Sequence, residues 1–154
     1  MDNVILNSYS IIPSLDVSRE TCNDLERLIL MIQEKNKEKN LISKKITKKS
    51  EIRKRHIIDS AQIIDFVDLN YNTTSDLGTG AGMPGLIVAI VMKKIKNSMK
   101  INLYEKSHHK CVFLKEVSKK LNLNTEIIHK DVFTVKNIET GTIMSRAFKP
   151  MPVI

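Results

Sequence analysis

Between a strand-like and a helix-like segment lies Asp76-Leu77-Gly78-Thr79-Gly80-Ala81-Gly82-Met83-Pro84-Gly85, with glycine at positions 78, 80, 82 and 85. A chain leaving a buried strand must turn sharply to enter a helix. Residues without side chains let the backbone of that turn approach a bound ligand closely. The chain is thereby committed to a strand-turn-helix unit, the building block of α/β folds. Asp76 stands at the end of the strand. About twenty residues downstream, Glu105 closes the apolar stretch Lys100-Ile101-Asn102-Leu103-Tyr104, where a carboxylate can accept two hydrogen bonds from a ribose diol.

The segments around this loop alternate in the manner of a parallel sheet with crossover helices. Thr73 to Leu77 reads as the first strand, Leu86 to Lys96 as its helix and Lys100 to Glu105 as the second strand. Ser107 is placed to cap a helix with Phe113, Leu114, Val117 and Leu121 inward, and strands follow at Glu126 to His129 and Gly141 to Ser145. Ahead of the first strand the period is helical. From Val17 to about Lys39, residues Leu25, Leu28, Ile29 and Ile32 recur at helical spacing, with Asp16 or Ser18 as N-cap. Ser50 is placed to cap a second helix to about Val67, on which Arg53, His56 and Ser60 share a stripe. The expected division is a helical region over residues 1–67 and an α/β region over 68–154. The fold class is α/β, Rossmann-like: a doubly wound, mainly parallel sheet with an N-terminal helical extension. Its ligand lies across the carboxyl ends of the strands, which gathers Gly78 to Met83, Glu105, Asp131 to Phe133 and Arg146 around one pocket. Val132 and Phe133 read as a wall against an adenine ring or as plain core.

Positive charge is concentrated rather than spread. Between Lys35 and Arg55 ten Lys and Arg face two Glu, an excess equal to the net +8 of all 154 residues. The remainder is neutral overall, so one segment supplies the field that attracts phosphate. Lys44, Lys45, Lys48, Lys49, Arg53 and Arg55 are its expected RNA contacts, against the alternative of a solvated lysine face in a Lys-, Asn- and Ile-rich chain. With no aromatic residue in the patch, it positions a backbone and reads no sequence. The Met1-Asp2-Asn3-Val4 start lacks a basic leader and no apolar run approaches a membrane span, so a cytoplasmic protein without membrane association is expected. Cys22 and Cys111 read as buried thiols. His56, His108, His109 and His129 form no zinc spacing with them, so no metal is expected.

Gly80, Gly82 and Gly85 match G-x-G-x-x-G, the dinucleotide pattern, but two residues later than that pattern should begin. Read from Asp76, the run is D-x-G-x-G-x-G and resembles the first motif of S-adenosylmethionine (SAM) methyltransferases. Asp76, Gly78, Gly80, Met83, Glu105, Val132, Phe133 and Arg146 are then the expected cofactor contacts.

Asn40-Leu41-Ile42-Ser43, Arg55-His56-Ile57-Ile58-Asp59-Ser60, the glycine loop with its Met-Pro-Gly ending, and Ser145-Arg146-Ala147-Phe148 occur in that order. The combination resembles the small-subunit (16S) ribosomal RNA guanine-N7 methyltransferase G family, also called glucose-inhibited division protein B, from about residue 15 onward. Lys35 and Lys39 depart from it, standing where aromatic residues are usual, as does Asp131, standing where a basic residue is common. The resemblance implies a SAM-dependent methyltransferase acting on N7 of a guanine, with small-subunit rRNA or the subunit itself as partner and a monomer when complete. It also implies Arg146 and His56 as catalytic residues, Arg146 orienting the guanine or a phosphate through its fork of donors.

The chemistry narrows further by elimination. There is no Asn/Asp-Pro-Pro-aromatic sequence of the kind that serves exocyclic amine methylation, and no cysteine placed for attack on a pyrimidine. Guanine N7 needs no general base, so positioning carries most of the rate. Four strands are countable before Ile154, which suggests a C-terminally truncated chain holding the first half of the sheet. Two other readings stay open: a dinucleotide-dependent oxidoreductase, and an inactive remnant that keeps RNA or SAM binding.

Overall fold

The computed structural model describes Tyr9 and residues 18–46 and 48–147. Four parallel strands form one sheet in the order β3-β2-β1-β4. They are β1 (Thr73–Leu77), β2 (Lys100–Glu105), β3 (Thr125–His129) and β4 (Thr142–Met144). Because β1 has β2 on one side and β4 on the other, the strand order reverses at β1. That reversal opens a crevice at its carboxyl end. Register aligns the carboxyl ends: Leu77 pairs with Tyr104, Glu105 with His129 and Asp76 with Met144. The residues that follow each strand therefore emerge along one edge.

Helix α1 (Arg19–Glu38) starts where Ser18 accepts a hydrogen bond from the Thr21 amide at 3.2 Å. Asp16, the other expected cap, lies outside the described residues. The buried face of α1 carries Cys22, Leu25, Leu28, Ile29 and Ile32 and rests on the two crossover helices, α3 (Gly85–Ile95) and α4 (His108–Leu121). Helix α3 is apolar on all sides from Leu86 to Met92 because it is enclosed by the sheet and α1. Helix α4 turns Phe113, Leu114, Val117 and Leu121 inward as its spacing predicts. One apolar cluster joins Leu25, Ile29 and Ile57 of the helical region to Leu86, Leu103 and Met144 of the α/β region.

Two cap expectations fail in detail. Ser107 occupies the N-cap of α4, but its hydroxyl bonds His109 Nδ1 at 2.9 Å instead of a helix amide. Ser50 lies inside a helix that begins at Lys49. That helix, α2 (residues 49–61), is not regular: α-helical turns at Lys49–Ile52 and Asp59–Ala61 flank a π-helical segment at Arg53–Ile58. It ends before Val67, and Ile64–Phe66 form a separate 3-10 turn. Both cysteines are buried free thiols, and burial raises the pKa of each.

Candidate active site

The glycine loop leaves β1 at Leu77 and returns as α3 at Gly85. Its glycines do different work. Gly80 has φ +61°, and a Cβ there would meet nothing nearer than the Gly78 carbonyl oxygen at 3.9 Å, so an added side chain would enter open space. At Gly82 (φ +91°) a Cβ would lie 2.2 Å from Leu86 Cδ1, and at Gly85 one would lie 2.3 Å from Leu103 Cδ2. These two are glycines because helix, sheet and loop close upon them.

Asp76 lies beneath the loop. It is fully buried, and its Oδ2 accepts from Thr79 Oγ1 at 2.6 Å and from the Gly85 amide at 2.8 Å, while Oδ1 has no partner. Burial pushes its pKa up to about 6 against the lowering effect of those two donors. Three further loop amides are engaged: Thr79 donates to Tyr104 O, and Gly82 and Met83 both donate to Thr79 O. Gly80 donates to Glu105 Oε2 at 2.9 Å. Glu105, 7% exposed, is held from its other side by the Ser107 amide on Oε1 at 2.8 Å. Each carboxylate oxygen keeps a lone pair for a further donor.

A cavity of about 510 Å³ opens above the loop, within the range of small-molecule sites. Gly78 to Ala81 and Met83 form its floor, Tyr104 and Glu105 one side, Val132 another, and His56, Arg146 and Leu41 the far side. Of the expected cofactor residues, Gly78, Gly80, Met83, Glu105, Val132 and Arg146 line it. Asp76 and Phe133 do not; Asp76 holds the loop from below, and Phe133, on a 3-10 turn, is 53% exposed outside the wall. Leu41 and Ile42 reach the cavity because the Asn36 side chain accepts from both their amides, at 2.8 and 3.1 Å. Their tetrapeptide stood out in the sequence without suggesting a role.

Arg146 follows β4 and closes onto α2. Its Nη2 donates to the Arg55 carbonyl at 2.8 Å and pairs with Asp59 Oδ2 at 2.9 Å; its Nη1 donates to Ser60 Oγ at 3.3 Å and stands 3.5 Å from His56 Nδ1. The fork expected to face a base is thus engaged within the protein. Nε is its remaining donor. Burial, and then Arg146, lowers the pKa of His56, with Asp59 opposing; its Nε2 is buried without a partner. Phe148, the last residue of the Ser145 tetrapeptide, lies outside the described residues.

Of the expected RNA contacts, Lys44, Lys45, Lys48, Lys49 and Arg55 are exposed. Arg53 departs from that expectation. It turns inward to grip Glu26 with two hydrogen bonds of 2.7 Å, and Tyr9 Oη donates to the same carboxylate at 2.7 Å. Burial pulls the Glu26 pKa up, but these donors outweigh it and hold the group below its ordinary value. Among the described residues no three His, Cys, Asp or Glu side chains are grouped to hold a metal ion, and no helix is long and apolar enough to cross a membrane.

A family model described as rRNA small subunit methyltransferase G matches residues 21–154. The chain belongs to this family. It is 50% identical over 150 residues to the ribosomal RNA small subunit methyltransferase G of Pelagibacter ubique, covering 97% of this chain and 70% of that relative. The proteins of the same name from Cereibacter sphaeroides and Rickettsia akari are 29% and 32% identical, over 93% and 91% of this chain and 68% and 69% of theirs.

Methyltransferase G family membership implies SAM as methyl donor, and the cavity fits that molecule. The Cβ-free approach at Gly80 and a fixed, buried carboxylate with spare lone pairs suit an adenosine ribose. A dinucleotide fits poorly. Its pyrophosphate requires loop amides and a helix N-terminus facing the ligand, whereas the amides of Thr79, Gly80, Gly82, Met83 and Gly85 are engaged within the protein and Asp76 closes the start of α3.

Proposed function

We propose that the chain is a SAM-dependent methyltransferase that modifies N7 of a guanine in small-subunit ribosomal RNA. The observation that carries the choice of cofactor is the pairing of Gly80, above which a Cβ would meet open space, with Glu105, a buried carboxylate fixed by two amides. Together they offer a close-approach surface and a fixed acceptor for a ribose diol, while Asp76 already takes the Gly85 amide at the start of α3, where a pyrophosphate would sit. Bound in the cavity, SAM supplies an electrophilic methyl group.

The residues of the chain divide that work. Gly78 and Gly80 let the ligand lie against the backbone, Glu105 accepts from its ribose hydroxyls, and Val132 with Met83 encloses its apolar parts. Because guanine N7 carries a lone pair at neutral pH, no side chain has to remove a proton, and the far wall has only to place the base. His56 and Arg146 are that wall. Burial, and then the Arg146 guanidinium, favours the neutral form of His56 beside a base that becomes cationic on methylation. Arg146 is a positioning residue that clasps α2 to β4. The exposed lysines from Lys44 to Lys49 take RNA phosphates.

Calorimetric titration with SAM and with NAD tests the cofactor, and nucleoside analysis of small-subunit RNA incubated with protein and SAM tests the product. We expect SAM to bind more tightly than NAD, Glu105→Ala to weaken it by roughly 1.5–3 kcal/mol, and 7-methylguanosine to form. Tighter binding of NAD, or SAM binding indifferent to Glu105→Ala, overturns the reading of the site.

A further inference from the structure

The N-terminal lysine segment is not the only basic surface beside the cavity. Lys106 and Lys110 follow β2 at the start of α4, and Lys130 follows β3; all three line the cavity on the side of Glu105 and Val132, across from His56 and Arg146. The parallel register places them together, since Glu105 pairs with His129. Lys106 lies 3.5 Å from Asp131, whereas Lys110 and Lys130 take part in no ion pair among the described residues. Glu105, the other acid here, is 7% exposed and held by two amides. Three lysines here stand against the two carboxylates of Asp131 and Glu105, so the rim is net positive, with Lys106 and Lys130 exposed.

This rim also carries exposed rings, which the N-terminal segment lacks. His108 and His129 are exposed with ring centroids 5.6 Å apart and planes tilted by 54°. His129 is fixed by a 3.0 Å hydrogen bond between its Nε2 and the Lys106 carbonyl. His109, nearer α1, is held by Ser107 and shares a surface hollow with Lys39 and Lys44, so the two basic surfaces meet at the start of α4. Cations alternating with π-faces are what a single-stranded nucleic acid requires: phosphates take the lysines and an unstacked base takes a ring.

Resting on the proposed methyltransferase reading, we propose that this rim is a second RNA-contact surface. It grips a nucleotide flanking the target and adjoins the Lys44–Lys49 segment at the start of α4, with Lys106, Lys110 and Lys130 on phosphates and the His108–His129 pair on a base. The RNA strand then follows the two basic surfaces where they meet beside the cavity mouth.

The test is binding of the full chain to a fluorescent small-subunit rRNA fragment across a range of KCl concentrations, with SAM titrated separately. Lys106→Gln/Lys110→Gln/Lys130→Gln should flatten the slope of log K against log salt by about 2, at about 0.7 per single-strand phosphate contact. The Lys→Arg triple should keep the parent slope. His108→Ala/His129→Ala should weaken binding about tenfold, the loss of one stacked base, without changing the slope. A Gln triple with the parent slope, or a His double variant with the parent affinity, overturns the proposal. A parent chain with no salt-dependent RNA affinity overturns both this surface and the RNA half of the proposed function. SAM affinity, read independently, reports on the cofactor site alone.

Discussion

The two walls of the cavity are built on opposite plans. The wall beneath the ligand is local: Asp76, Thr79, Gly82 and Gly85 lie within ten residues and bond or pack against one another. The wall of His56 and Arg146 is assembled from a distance. Arg146 meets residues about ninety positions earlier, and Arg53 meets Glu26 twenty-seven positions earlier. A local wall tolerates little change in residue type. A distant wall tolerates little change in the relative placement of its helices.

The comparison is tested most sharply within the loop itself. Gly82→Val should destabilise the fold by roughly 3 kcal/mol or more, since overpacking against Leu86 adds to an unfavourable left-handed backbone. Gly80→Ala carries only the backbone penalty, roughly 1–2 kcal/mol, yet should weaken SAM binding. Denaturant melts beside SAM titrations separate these two outcomes, and equal destabilisation at both positions would erase the distinction between packing and approach.

On the distant wall, Arg53→Ala leaves Glu26 half-buried without its bidentate partner. The pair is about one-sixth exposed (side chains 13% and 17%), so the loss should be about 2–3 kcal/mol, below the roughly 3–5 kcal/mol of a fully buried pair. Because Arg53 lies on the π-helical segment that carries His56, RNA methylation should fall further than SAM affinity does.

What was legible in the sequence follows the same division. The strands, crossover helices, glycine loop and Glu105 were readable because each obeys a short-range rule of period or backbone sterics. The inward turn of Arg53 was not, because its partner Glu26 lies on another helix and a basic run gives no sign of which member is paired. Asp76 was read as a ligand contact from its place at a strand end; only burial and the Gly85 amide reveal that it bonds the loop instead. The π-helical segment left no trace in residue type. Its extra residue per turn spoiled the simple stripe of Arg53, His56 and Ser60, of which the last two reach Arg146 and the first does not.

Two smaller effects sharpen the contrast through acid–base behaviour. The pKa of Asp76 is raised from 3.8 to about 6, so between those values the folded state binds more protons than the unfolded one. Stability from this group therefore declines as pH rises through that window and levels off above it. In Asp76→Asn the declining component should vanish, which stability curves measured from pH 4 to 7 would reveal as a difference between the two proteins. On the other wall, Arg146→Gln removes a cation that lowers the His56 pKa while leaving Asp59, which raises it. The His56 ring resonances should then titrate at higher pH by NMR; an unchanged midpoint would mean that Arg146 and His56 are not coupled.

The π-helical segment at Arg53–Ile58 makes the wall of His56 and Arg146 sensitive to chain length as well as to side-chain chemistry. A π turn holds one more residue than an α turn, so the peptide ladder could regain its regular form by losing one exposed residue such as Lys54. Such a shortened helix would keep the residues of its apolar face, yet it could no longer point Arg53 at Glu26 and also bring His56 and Ser60 to Arg146. A single-residue deletion, which a regular helix resists, is here the gentlest means of uncoupling how well the chain folds from how well it aims.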